Sequence, residues 1–93
     1  MENTEKKHLL EKMLRELEDI LNSQTSLLKK ISQLEAENIN LSNPVLEKRL
    51  PDIHEKVDAG ITEIALVVEE FKAAKDKFVA DNKLDEVLPE PGS

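Results

Sequence analysis

Apolar residues recur along the first half of the chain at alternating intervals of three and four. From Leu10 they form two interleaved seven-residue tracks. Leu10, Leu17, Gln24, Ile31 and Asn38 occupy position a of a heptad, and Met13, Ile20, Leu27, Leu34 and Leu41 occupy position d. Spacing of this kind, sustained over so many turns, predicts a long helix that packs along one seam. Gln24 and Asn38 are its only polar interruptions. Asn3 or Thr4 can cap the start, and Glu5 falls in the first turn, where the helix dipole favours an anion. The run Asn38-Ile39-Asn40-Leu41-Ser42-Asn43-Pro44 collects turn and cap formers. Helix 1 is therefore expected over residues 4–39, a turn over 40–43, and a second helix from Pro44.

The second pair of tracks places Leu50, Val57, Ile64, Phe71 and Phe78 at a, and Leu46, Ile53, Gly60, Val67 and Ala74 at d. Helix 2 is expected over 44–82. Pro51 falls inside it and cannot donate to the carbonyl of Glu47, which predicts a kink or a closely docked restart. The heptad phase nevertheless runs through Pro51 unbroken. Past Asn82 the pattern decays, and residues 85–93 are expected to form a disordered acidic tail beyond a single domain at 1–84.

The two sets of tracks mirror each other. Folding the chain at residue 42 pairs residues whose numbers add to 84: Leu10 with Ala74, Leu17 with Val67, Ile31 with Ile53, Leu34 with Leu50. Every a position then faces a d position, as an antiparallel coiled coil requires. Gly60 lands opposite Gln24 and leaves room for its amide. Gln24, Gly60 and Asn38 are accordingly expected to set the register. The fold class that follows is all-α, an antiparallel two-helix coiled-coil hairpin.

The flanks of this seam differ. The g positions (Glu16, Ser23, Lys30, Glu37, Arg49, Lys56, Glu63 and Glu70) are wholly polar. The e positions carry Leu14, Leu21 and Leu28 on helix 1 and Ile61 and Val68 on helix 2, with His54 and Lys75 at the ends. Apolar residues at a, d and e together characterise a helix packed on more than one neighbour. These five aliphatic side chains are expected to lie beside the seam as a partner-binding strip. A homodimer or another helical protein would cover it and complete a four-helix bundle.

Composition narrows the function. The chain has 93 residues, a net charge of −7, no cysteine and only two aromatic residues, Phe71 and Phe78. The acidic balance repels nucleic acid and anionic lipid, so neither is expected as a partner. Without cysteine there are no disulfides or thiolate metal sites. The polar start Met1-Glu2-Asn3-Thr4-Glu5-Lys6-Lys7 has no signal-peptide pattern, and no apolar run approaches the roughly 20 residues of a membrane span, which points to a cytoplasmic protein without membrane insertion.

Candidate chemistry is sparse. His54-Glu55-Lys56-Val57-Asp58 echoes the zincin helix motif with Asp in place of its second His, but His8 lies far away in the mirrored register, so no metal is expected. Glu35 with Glu37, and Glu69 with Glu70, stand one or two residues apart and do not face each other on a helix. Lys6-Lys7 and Lys29-Lys30 lack stacking aromatics for nucleic acid. Asn40-Leu41-Ser42 reads as a turn rather than a glycan acceptor. No catalytic residue and no cofactor is expected, and the chain is not expected to be an enzyme.

A hairpin of this length with a turn near residue 42 resembles the WXG100 (ESAT-6-like) proteins of type VII secretion over residues 5–84. The likeness is one of architecture. The turn reads Leu41-Ser42-Asn43-Pro44 in place of Trp-x-Gly, and Phe71 with Lys75, or Phe78 with Asn82, stands where that family has a Tyr-x-x-x-Asp/Glu signal. The resemblance implies a secretion-linked hairpin or its partner and transfers no functional residue. The sequence itself favours a non-enzymatic interaction or assembly module, with an acidic inhibitor that mimics nucleic acid as a further alternative.

Overall fold

The computed structural model describes residues 1–84. Two helices make up the fold, α1 over Asn3–Leu41 and α2 over Pro44–Asp81. The tail expected over 85–93 lies outside the described residues. At 1.5 Å per residue a helix of α1's 39 residues is about 58 Å long, and the molecule is a rod of 66 × 22 × 18 Å.

Local chemistry sets each helix end. Glu2, rather than Asn3 or Thr4, precedes α1, and its backbone N–H donates to Oε1 of Glu5 at 2.9 Å. Glu5 thus occupies a free backbone donor and also places its charge at the positive end of the helix. At the other end α1 continues to Leu41, so the turn contracts to Ser42 and Asn43. Ser42 takes the left-handed conformation (φ 55°, ψ 40°), and its N–H donates to the carbonyl of Asn38 at 2.7 Å. Asn43 then caps α2, its Oδ1 accepting from the N–H groups of Val45 at 2.9 Å and Leu46 at 3.2 Å. Pro44 follows at the first helical position, where a missing donor costs nothing.

Asn38 fastens this reversal. Its Nδ2 donates to the carbonyl of Asn43 at 3.2 Å, and its Oδ1 accepts from the N–H of Asn43 at 2.9 Å. Both ends of a buried amide are therefore used by the turn. Farther along, α2 passes through Pro51 as one continuous helix, with no restart, and the proline ring is exposed.

The register along the rod follows from contacts between the helices. The ammonium of Lys6 lies 5.1 Å from the centroid of the Phe78 ring, and the Gln24 side chain reaches Gly60. Both pairs add to 84. Nδ2 of Asn3 donates to Oδ1 of Asn82 at 2.9 Å, which ties the outer ends together.

The seam is rolled about the helix axes relative to the a and d pairing expected from the sequence. Column a turns inward on both helices, but column e accompanies it rather than d. Leu14 and Val68 are only 8% exposed, and Leu21, Leu28 and Ile61 are half-buried. Met13, Ile20, Leu27 and Leu34 on α1, with Ile53 and Val67 on α2, are 41–48% exposed. The expectation that Leu14, Leu21, Leu28, Ile61 and Val68 lie open beside the seam is corrected, because these side chains form part of it. The physical reason lies in what each column offers on α2. In the middle of the rod column d of α2 has Gly60 where column e has Ile61, so the roll brings an aliphatic side chain into the seam at that level. The polar end of column e is also matched, since Nδ1–H of His54 donates to Oε1 of Glu35 at 2.8 Å across the helices.

The resulting core is thin. Leu14, Ile31, Leu50, Val68 and Val79 are its buried apolar members, and even Ile31 keeps 5% of its surface in water. Among the described residues no large side chain is completely sealed.

Candidate functional site

The three apolar columns span about 100° of each helix, with e and d on either side of a. Closing the hairpin on a and e leaves d turned outward. In an antiparallel pair like flanks face the same way, so the d columns of both helices emerge on one side of the rod. α1 contributes Met13, Ile20, Leu27 and Leu34, and Leu41 at the turn. α2 contributes Ile53, Val67 and Ala74, with Gly60 half-buried between them. From Met13 to Leu34 the strip runs about 31 Å.

The opposite side of the rod, built from position b, carries Glu11, Glu18, Thr25, Ser32 and the exposed Ile39 on α1, with Pro51, Asp58, Ala65, Lys72 and the buried Val79 on α2. One side of the hairpin is therefore aliphatic and the other mostly polar. The g positions border the aliphatic side along its outer edges and are all exposed. A contiguous apolar strip rimmed by charges is the usual form of an association surface, unlike apolar residues scattered singly.

The strip expected to bind a partner is the one the helices keep for each other, and the open one is the column first assigned to the core. Met13, Ile20, Leu27, Leu34, Ile53 and Val67 are the residues so displaced. The signal for them was present as the third apolar column, since two helices can bury only two of the three.

Beneath this face Gln24 and Gly60 meet in the middle of the rod. A Cβ added to Gly60 would stand 3.5 Å from Oε1 of Gln24. That oxygen is buried and has no hydrogen-bond partner. The pair is a soft spot in the seam, with a polar atom left unpaired and a position without a side chain.

Other clusters hold little chemistry. A shallow hollow of about 160 Å³ beside the turn is lined by Glu35, Asn38, Ile39, Leu46, Glu47, Leu50 and Pro51. Glu35 is engaged by His54 and Asn38 by Asn43, so Glu47 is the one charged group left to meet a ligand there. His54 is spent on the same contact. Among the described residues no group of three His, Cys, Asp or Glu could hold a metal ion, and no helix is long and apolar enough to cross a membrane. No protein-family model, no curated protein and no solved structure matches the chain.

Proposed function

We propose that this protein is a non-enzymatic interaction module that holds a helical protein surface, its own or another's, against the aliphatic face of column d. The observation that carries this reading is the exposure of Met13, Ile20, Leu27, Leu34, Ile53 and Val67 on one side of a rod whose other side is mostly polar. Energetics support it. A hairpin with so thin a core has little apolar burial to offset chain entropy, and small domains of this kind gain stability from further burial. Full burial of a Leu, Ile, Val or Met side chain is worth about 1.5–3 kcal/mol, and each of these six has roughly half of that still to gain. Two more helices laid on the face would close a four-helix bundle with a, d and e all inside.

The test introduces carboxylates onto the face with Leu27→Asp and Ile53→Asp. Both positions already meet water in the isolated hairpin, so circular dichroism should still show a helical chain. An unpaired carboxylate inside an interface costs several kcal/mol, so every complex, of the chain with itself or with a protein co-purified from its native cells, should be lost. A variant that keeps its mass and its partners overturns the reading.

A further inference from the structure

We infer that the surface on this face is a second copy of the chain, packed α2 against α2 in antiparallel orientation about a two-fold axis at the level of Gln24 and Gly60. This rests on the aliphatic face being an association surface and adds its occupant and orientation.

The first support is the symmetry of the face. Ile53 and Val67 stand seven residues on either side of Gly60, and on α1 Ile20 and Leu27, then Met13 and Leu34, flank Gln24 at near-equal distances, with Leu41 extending the strip at the turn. Gln24 and Gly60 occupy the same level of the rod, as their 3.5 Å approach shows. A half-turn about an axis through that level and perpendicular to the helices lays the strip back on itself. A closed two-fold dimer needs such a self-complementary patch.

The second support is charge. The border of the face on α2 reads Arg49, Lys56, Glu63 and Glu70, basic toward the turn and acidic away from it. The division falls at the Ala59–Gly60 bond. The same half-turn brings Arg49 beside the partner's Glu70 and Lys56 beside the partner's Glu63, and both contacts occur twice. All four side chains are exposed, and among the described residues none forms an ion pair within the hairpin. The border on α1, Glu16, Ser23, Lys30 and Glu37, has no such division and sets no orientation.

The other way to stack two copies face to face turns one about an axis along the rod and places α1 over the partner's α2. Glu16 then lies beside the partner's Glu70 and Lys30 beside the partner's Lys56, and only Glu37 beside the partner's Arg49 is an attractive pair. Like charges at close range select against an arrangement. The charge pattern therefore favours α2 on α2.

Reversal of the pattern tests the pairing. One variant carries Arg49→Glu and Lys56→Glu, and the other carries Glu63→Lys and Glu70→Lys. Each alone replaces four attractive contacts in the dimer with four repulsive ones. By sedimentation equilibrium the wild-type chain should form a dimer, and each variant should self-associate about a hundredfold more weakly. An equimolar mixture restores all four attractions and should dimerise as tightly as the wild type. Circular dichroism verifies that the helices persist. If reversal costs helix, Arg49→Gln with Lys56→Gln gives a smaller weakening by the same readout. Variants that self-associate like the wild type, or a mixture that stays monomeric, overturn the orientation. A wild-type chain that is monomeric at every concentration overturns the second copy. If that monomer still loses a foreign partner on Leu27→Asp with Ile53→Asp, the association surface itself stands.

Discussion

The side-chain oxygen of Gln24 lies buried against Gly60, 3.5 Å from the place a Cβ would take, and no donor reaches it. That distance is ordinary van der Waals contact, so an alanine enters without displacing the amide. Glycine inside a helix costs about 0.5–1 kcal/mol relative to alanine. Gly60→Ala should therefore raise the unfolding free energy of the dilute protein by about that amount in chemical denaturation. A loss of stability would mean that the helices approach more closely here than the 3.5 Å separation allows.

The same layer makes the opposite prediction of the usual rule about buried polar residues. A buried acceptor without a donor carries its desolvation cost uncompensated, about 1–3 kcal/mol. Gln24→Leu should recover much of this and raise the melting temperature. It should also leave α1 with aliphatic residues through the middle of column a, loosening the choice of register or partner number. A clearly destabilised variant would show that the amide is hydrogen-bonded in solution.

Much of this fold was legible in the sequence, and the reason for each success or failure is specific. The mirror of the two heptad patterns located the register, because it sets Gln24, a polar residue in the middle of an apolar column, opposite Gly60, the one residue there without a side chain. The start of α2 was legible because Ser42 or Asn43 followed by Pro44 reads as a helix start, and Asn43 is the residue that caps it. The roll of the seam was not. Columns d and e are both aliphatic and both adjoin a, so periodicity alone cannot rank them. What separates them is Ile61 in e at the level where d has only Gly60, and the match of Glu35 with His54 at the end of e, a contact between side chains far apart in sequence. Asn38 was read as a seam residue because it sits at an a position. Its two hydrogen bonds to Asn43 depend on the left-handed turn at Ser42, which spacing does not reveal.

That turn yields a third prediction. Asn38→Ala removes two hydrogen bonds to the backbone of Asn43 and leaves a partly buried N–H and carbonyl with less compensation. The expected cost is about 1–3 kcal/mol in chemical denaturation, with helix content little changed in the native baseline. A cost under about 0.5 kcal/mol would show that water replaces the amide fully and that the capping by Asn43 holds the reversal without it.

Two adjacent valines test the account most directly. Val67, in column d, is 42% exposed, and Val68, in column e, is 8% exposed. Valine and cysteine are close in volume, and the chain has no native cysteine, so a thiol at either site is the only one to label. In dilute native protein the thiol of Val67→Cys should react with an alkylating reagent nearly as fast as in the unfolded chain, and that of Val68→Cys far more slowly. Raising the protein concentration should then slow labelling at position 67 and leave position 68 unchanged, as the open face becomes covered while the seam stays as it was. Faster labelling at 68 than at 67 would contradict the rolled seam, and a rate at 67 that never falls with concentration would contradict a second copy on the face.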